Sequence, residues 1–297
     1  MAEVIKKIED MKKKAGLLRA RAQTVGFVPT MGALHEGHLS LIRRARAEND
    51  VLIVSIFVNP AQFDKGSDFR SYPRQFESDL AIASQEGVDV VFAPDGDEMY
   101  PAGHSNHVEV TGGLTKGLCG ASRPGHFRGV ATVVEKLFDI VRPDRAYFGR
   151  KDYQQAVIVK RLVRDFGFDI DVVVLPTVRE PDGLAISSRN QNLSDNERQK
   201  ALSIYRALAR ASELYDSGER DTKVIGREMR NILNEWGITR IDYISVVDPE
   251  TLEDVEATRA GVVVAIAAWV GDTRLIDNMA LGVGSERQLF LDKAHTV

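Results

Sequence analysis

Between residues 25 and 175, short apolar runs alternate with longer segments in which apolar residues recur every three or four positions. The run at residues 51–58 is interrupted only by Ser55, as expected for a strand that helices cover on both faces. Strands that alternate with helical segments favour βαβ units and a parallel sheet. The pattern therefore predicts an α/β fold with a doubly wound, Rossmann-like parallel sheet.

The same pattern gives the bounds of the predicted elements. Val4, Ile5, Ile8 and Met11 recur at helical spacing and predict an amphipathic helix at the start of the chain. Strands are predicted at residues 25–29, 51–58, 88–93, 146–148 and 170–175. Helices are predicted at residues 39–49, 76–86, 129–141 and 154–166.

The character of the sequence changes near residue 178, where Glu180-Pro181-Asp182-Gly183 forms a turn signal. Two charged helical segments follow at residues 195–216 and 221–236, and two β-rich runs lie at residues 241–247 and 262–269. We predict a larger Rossmann-like domain over residues 1–177 and a smaller α+β domain over residues 178–297.

Composition excludes several classes of protein. The 297 residues are 43% hydrophobic and 28% charged, which argues against collagen-like, disordered and membrane-spanning chains. The net charge of −4 gives no electrostatic reason to expect nucleic acid or an anionic membrane as a partner. Cys119 is the single cysteine and cannot form an intrachain disulfide, and the first residues lack the apolar core of a signal peptide. We expect a cytoplasmic protein.

Two common nucleotide-binding motifs are absent from the sequence. No G-x-x-x-x-G-K-[ST] occurs, and no predicted strand is followed by G-x-G-x-x-G. A P-loop kinase and a dinucleotide-dependent dehydrogenase are therefore not expected.

The first predicted strand is followed instead by two histidines, His35 and His38, on either side of Gly37. Ligands of open α/β sheets lie at the carboxyl ends of strands, and a helix N-terminus attracts phosphate through its unpaired N–H groups. These observations favour a phosphate site. Two alternatives stay open: a purely structural pair, and a zinc site, although the second histidine comes one residue too early for H-E-x-x-H.

Three further segments carry polar side chains where a ligand is expected. Asn59 and Gln62 close the strand at residues 51–58, and their neutral amides suit a hydroxylated substrate. Lys151 opens the helix that follows residues 146–148 and suits a phosphate. Residues 187–189 are Ser-Ser-Arg, two hydroxyls beside one guanidinium, which suit a mobile anion clamp. Each string, taken alone, also fits an ordinary turn or a capped helix.

Two more residues complete the predicted chemistry. Arg123 lies in an Arg- and Gly-containing segment and suits an acidic or phosphorylated ligand. Asp79 lies on the predicted helix before the third strand, and we expect it to support Mg²⁺ through water.

In order and spacing, these strings resemble the pantothenate synthetase (pantoate–β-alanine ligase) family of the nucleotidyltransferase superfamily. The resemblance rests on residues 29–38, 57–63, 72–74, 123–128, 148–155 and 187–190, and continues through 267–269 and 273–278. It implies an enzyme that joins (R)-pantoate to β-alanine with MgATP as substrate, through a noncovalent pantoyl adenylate, and without a tightly bound organic cofactor. AMP and pyrophosphate are the implied by-products.

The resemblance also implies roles for individual residues. The smaller domain would close as a lid over a larger domain that binds ATP and pantoate, and the chain would form a homodimer. The implied catalytic residues are His38, His35, Lys151 and Arg189. Pantoate and β-alanine would contact Gln62, Gln155, Asn59 and Arg123. ATP would contact Met31, Gly32, His35, His38, Gly149, Arg150, Lys151, Asp152, Val178, Ile186, Ser187, Ser188 and Arg189.

Two other functions stay open on the sequence alone. A nucleotidyltransferase that stops at an adenylated product would release pyrophosphate but no AMP. A noncatalytic nucleotide-binding module would bind ATP without turnover of any acid and amine.

Overall fold

The computed structural model describes residues 1–63 and 66–283. Its strands are β1 (Glu3–Ile5), β2 (Val25–Thr30), β3 (Val51–Ile56), β4 (Val90–Phe92), β5 (Arg145–Gly149), β6 (Asp171–Leu175), β7 (Ile241–Val247), β8 (Val263–Val270) and β9 (Thr273–Ala280). Its α-helices are α1 (Ile8–Ala20), α2 (Glu36–Glu48), α3 (Gly66–Ser71), α4 (Phe76–Gln85), α5 (Gly96–Met99), α6 (Leu118–Ser122), α7 (His126–Val141), α8 (Tyr153–Phe166), α9 (Asp195–Asp216) and α10 (Thr222–Glu235). Short 3₁₀ turns lie at Pro60–Gln62, Gly113–Thr115, Arg150–Asp152 and Ser188–Asn192.

The chain divides into two compact units. The first comprises Met1–Val110, Arg123–Gly149 and Ile158–Leu175. The second comprises Thr111–Ser122, Arg150–Val157 and the chain from Pro176 onward. The predicted boundary between residues 177 and 178 lies close to Pro176 and stays a prediction. The sequence did not indicate that the two earlier segments, Thr111–Ser122 and Arg150–Val157, group with the second unit.

The first unit is built on one parallel sheet with strand order β1-β4-β3-β2-β5-β6. From β2, strands β3 and β4 follow toward one edge of the sheet, whereas β5 and β6 follow toward the other edge. The strand order therefore reverses between β2 and β5. Ligands of doubly wound sheets bind outside the carboxyl ends of the strands at this switch point. The predicted fold class is confirmed, and the switch point places the turn after β2 where a ligand is expected.

The predicted helix at the start of the chain is partly wrong. Val4 and Ile5 belong to β1, which pairs in parallel with β4, and α1 begins only at Ile8. Ile5 is buried by this pairing. Sheet extension at the edge therefore overrides the helical spacing of the first apolar residues.

The second unit contains an antiparallel sheet in the order β7-β8-β9. Helices α9 and α10 pack on the sheet through a core that includes Leu208, Ile225, Met229 and Ile266. The sequence pattern indicates β7 and β8 but not β9, because polar residues interrupt the apolar positions of this edge strand. Within the described ranges, no helix has the length and apolar character needed to cross a membrane.

Candidate active site

The turn after β2 carries both predicted histidines at the N-terminus of α2. His35 is the N-cap residue, and its Nδ1 accepts a hydrogen bond from the Gly37 backbone N–H at 3.1 Å. The Nδ1 of His38 accepts from the His35 backbone N–H at 3.4 Å, which completes a reciprocal capping box. The two rings stack with centroids 4.1 Å apart. Gly37 leaves room for the His35 ring, since a Cβ atom there would lie 2.9 Å from Cε1 of His35.

The capping bonds fix the tautomer of both rings. A ring nitrogen that accepts a hydrogen bond carries no hydrogen, so each neutral ring carries its hydrogen on Nε2. His35 and His38 therefore combine two Nε2–H donors with a helix N-terminus, an arrangement suited to phosphate oxygens.

Asp79 holds the backbone of this turn through hydrogen bonds. Its Oδ2 accepts from the Ala33 N–H at 2.9 Å and its Oδ1 from the Leu34 N–H at 2.8 Å, and the residue is 1% exposed. Gly32 and Ala33 both have positive φ, of 82° and 52°. These contacts support a role in fixing the histidine turn, and the Mg²⁺ role stays a prediction. No cluster of three or more His, Cys, Asp or Glu side chains suited to a metal occurs among the residues that the structure describes.

The two predicted substrate amides lie together after β3. Asn59 is buried, and its Nδ2 donates to Gln62 Oε1 at 3.0 Å and to Gly129 O at 3.1 Å. The Asn59 Oδ1 accepts from the Tyr100 hydroxyl at 2.9 Å, and burial raises the pKa of Tyr100 to about 12, which keeps this donor protonated. Gln62 Nε2 donates to the Met31 sulfur at 3.2 Å. Asn59 thus orients Gln62 beside the turn that follows β2.

Arg123 is tied to the same amide segment. Its Nη2 donates to the Gln62 backbone oxygen at 3.1 Å, and its Nη1 lies 3.2 Å from His126 Nε2. The His126 Nδ1 lies 2.7 Å from the Gln62 backbone oxygen. Because that oxygen only accepts, Nδ1 carries the hydrogen and Nε2 accepts from Arg123. Arg123 and His126 therefore fix the backbone at Gln62.

The second unit holds the helix start that was predicted to bind nucleotide. Lys151 lies in the Arg150–Asp152 turn, which leads directly into α8. The first turn of α8 is fastened by Gln154, whose Nε2 donates to Leu114 O at 2.7 Å and to Gly117 O at 3.1 Å. The Tyr153 hydroxyl donates to Pro249 O at 2.9 Å. These bonds group the segment with the second unit.

The Ser-Ser-Arg segment follows a short hairpin of the second unit. Ile186 N–H donates to Val178 O at 3.0 Å, and Arg179 bridges to Ala185. Ser187 then caps the Ser188–Asn192 turn, because its Oγ accepts from the Arg189 N–H at 3.3 Å. Residues 187–189, called the clamp below, are thereby held at the end of a defined hairpin.

The predicted site residues thus fall into two sets, one in each unit. The first unit contains Met31, Gly32, His35, His38, Asn59, Gln62, Asp79, Arg123 and Gly149. The second unit contains Arg150, Lys151, Asp152, Gln155, Val178, Ile186, Ser187, Ser188 and Arg189.

Comparison with known proteins assigns the chain to a family. Residues 3–280 match the family model described as pantoate-beta-alanine ligase. The chain belongs to the pantoate–β-alanine ligase family. A pantothenate synthetase of Moorella thermoacetica is 54% identical to it, over 95% of this chain and 99% of the relative. One from Thermotoga petrophila is 56% identical, over 94% of this chain and 100% of the relative.

Solved structures of pantoate–β-alanine ligases share the fold. The pantothenate synthetase of Thermus thermophilus superposes with a TM-score of 0.88 at 46% identity, covering 93% of this chain and 98% of that one. The pantoate-β-alanine ligase of Francisella tularensis, solved with β-γ ATP and β-alanine, gives a TM-score of 0.81 at 38% identity. It covers 94% of this chain and 98% of that chain.

Sequence reasoning missed several residues that hold the predicted site residues in place. His126 lies in a segment noted only for its cations, and Tyr100 gave no signal at all. The string at residues 273–278 contributed to the resemblance without a role. Each of these acts through a contact distant in sequence, which a local string does not reveal.

Proposed function

We propose that this ligase condenses (R)-pantoate with β-alanine in two steps at the expense of ATP, through a pantoyl adenylate that stays noncovalently bound. The Francisella tularensis ligase, solved with β-γ ATP and β-alanine, supports this substrate pair. The observation that carries the proposal is the stacked histidine pair at the N-terminus of α2, with both Nε2–H groups set as donors by their capping bonds.

In the first step a carboxylate oxygen of pantoate attacks the α-phosphorus of ATP. The new P–O bond forms as the bond to pyrophosphate breaks, and negative charge builds on the phosphate oxygens. We assign stabilisation of this charge to His35, His38, Lys151 and the clamp. Gly149, Arg150, Asp152, Val178, Ile186, Met31 and Gly32 complete the proposed ATP contacts.

In the second step the amine of β-alanine attacks the acyl carbon of the adenylate. The amide bond forms, the bond to AMP breaks, and the amine nitrogen releases its surplus proton to solvent. Gln62 and Gln155 hold pantoate through its hydroxyl groups and carboxylate, while Asn59 and Arg123 fix Gln62 through the contacts described above. Exclusion of water protects the adenylate from hydrolysis.

Mg²⁺ enters this proposal with ATP, as the complex of its phosphates, and neutralises charge there. Asp79 is the proposed outer ligand through water. A homodimer and a cytoplasmic location are also part of the proposal, on the strength of the family resemblance.

The test is an AMP-release assay with ATP, Mg²⁺, pantoate and β-alanine, from which each component is omitted in turn. Stoichiometric AMP and pantothenate should appear only in the complete mixture. Pyrophosphate without AMP in the complete mixture would indicate a nucleotidyltransferase that stops at the adenylated product. ATP binding without any turnover would indicate a binding module.

A further inference from the structure

Strand β9 carries two consecutive buried polar residues, Asp277 and Asn278, which are 4% and 5% exposed. Buried polar groups require partners, so each side chain should serve a defined contact. β9 is an edge strand of the three-stranded sheet. Consecutive side chains of a strand point to opposite faces, which allows these two neighbours to contact different segments.

Asn278 fastens the turn that carries Lys151. Its Nδ2 donates to the backbone oxygens of both Arg150 and Lys151, each at 3.0 Å. Its Oδ1 is buried and has no hydrogen-bond partner among the described residues. The two Nδ2 bonds therefore tie the backbone of this turn to β9.

Asp277 fastens the hairpin that ends in the clamp. Its two carboxylate oxygens accept from Nη1 and Nη2 of Arg179 at 2.6 and 3.0 Å. Arg179 also donates to the Gly183 backbone oxygen at 3.1 Å and lies over the ring of Tyr205 at 4.8 Å. The planar guanidinium thus locks both arms of the hairpin, which positions the residues that follow it.

The two fastened segments meet at one recess of the second unit. Its lining includes Lys151, Ser187, Asn190, Ile276 and Asp277. Two segments that are far apart in sequence are therefore placed side by side by adjacent residues of one strand.

We propose that Asp277 and Asn278 are positioning residues that set the distance between the Lys151 ammonium and the clamp, so that both reach the phosphates of the same ATP molecule. This inference rests on the proposed function, in which Lys151 and the clamp bind those phosphates. Neither Asp277 nor Asn278 needs to touch the nucleotide.

The test is a double-mutant cycle between Asn278 and Lys151, read as kcat/KM for ATP together with the thermal midpoint. Asn278→Ala in the otherwise unchanged protein should lower kcat/KM by about 10- to 100-fold, the usual effect of misplacing a binding group by about 1 Å. In a Lys151→Ala background the same change should lower kcat/KM by less than about 3-fold, because the group it positions is gone.

Met279→Ala is the matched control, because Met279 lies on the same strand but packs against the hydrophobic core of the second unit. It should lower the thermal midpoint while leaving kcat/KM for ATP within about 3-fold of the unchanged protein. Asn278→Leu, which approximates the shape and loses the donor, gives a second variant should Asn278→Ala not fold. A second double-mutant cycle, between Asp277→Asn and Arg189→Ala, tests the clamp in the same way.

Equal fold-losses in both backgrounds would overturn the inference, as would a loss from Asn278→Ala no greater than that from Met279→Ala. Neither result bears on the proposed function, which is tested separately by AMP release from the unchanged protein.

Discussion

At the scale of single residues, the histidine pair shows how one side chain serves folding and chemistry with different atoms. Nδ1 of His35 caps α2, while Nε2–H is the donor assigned to phosphate. The sequence predicted the pair and a helix from residue 39, but α2 begins at Glu36, so only His35 precedes the helix and His38 lies in its first turn. The tautomer and the support from Asp79 depend on geometry that the string does not contain.

Replacement of His35 separates these two roles. His35→Asn supplies an oxygen near the position of Nδ1, so the cap should survive and the free energy of unfolding should change by only a few tenths of a kcal/mol, whereas His35→Ala should lose about 1 kcal/mol. Both variants lack Nε2–H, and turnover should fall about 10²- to 10³-fold in each. Urea unfolding and steady-state kinetics measure the two quantities. Near-normal turnover of His35→Asn would contradict the assignment to phosphate.

Asp79→Asn tests what the buried carboxylate does. An amide offers only one oxygen to the two N–H groups of Ala33 and Leu34, so we expect a loss of about 1.5–3 kcal/mol in the free energy of unfolding and a lower kcat. The Mg²⁺ concentration for half-maximal activity should stay the same if Asp79 acts by holding the turn. A large increase in that concentration would instead support the predicted outer-ligand role, so a Mg²⁺ titration of both proteins decides between them.

At the scale of elements, prediction succeeded where the local sequence contains the signal. Helix α9 has the predicted bounds, and Ser194 and Glu197 form a capping box at its start. Both missed strands lie at sheet edges. Strand β1 was misread because it forms by pairing with the distant β4, and β9, which pairs with the preceding β8, was missed because polar residues interrupt its apolar positions. Their residues carry no decisive period of their own.

Helix α7 gives a prediction at this scale, because Gly129 allows it to approach the Gln62 turn closely. A Cβ atom at Gly129 would lie 2.2 Å from Ala61 O and 2.6 Å from Gln62 N. Gly129→Ala should therefore displace Gln62, destabilise the protein and raise KM for pantoate. The control is Gly226→Ala in α10, where nothing lies within 4 Å of the added atom. It should stabilise the protein by about 0.5–1 kcal/mol without changing that KM. Equal KM values in the two variants would contradict the role given to the close approach.

At the scale of the whole molecule, the doubly wound sheet followed from the alternation of apolar runs and helices. The grouping of residues 111–122 and 150–157 with the second unit did not, because it depends on bonds such as those from Gln154 to the 3₁₀ turn near Leu114. The residues of the candidate site were predicted from their strings and stay a prediction. The residues that position them, His126, Tyr100 and Asn278, required the structure.

The whole reaction gives the last prediction, which concerns the intermediate. Cys119 is buried, so the single thiol is an unsuitable acyl carrier. With ATP and pantoate but no β-alanine, pyrophosphate should appear as a burst of about one equivalent per site and then nearly stop. Mass spectrometry of the quenched protein should show the unmodified chain. An acyl or adenylyl adduct would refute the noncovalent intermediate.

The left-handed backbone at Ala33 leads us to expect that the turn before the histidines can switch between two conformations. An alanine at φ 52° is disfavoured by about 1–2 kcal/mol, and the grip of the Asp79 carboxylate on this turn offsets that cost. Once the grip is weakened, the nearest alternative is a flip into another allowed region, since the intervening backbone angles are sterically forbidden. A weakened turn should therefore exist as two exchanging populations, detected by NMR relaxation dispersion as exchange broadening of the His35 imidazole resonances. A gradual displacement would instead shift these resonances without exchange broadening.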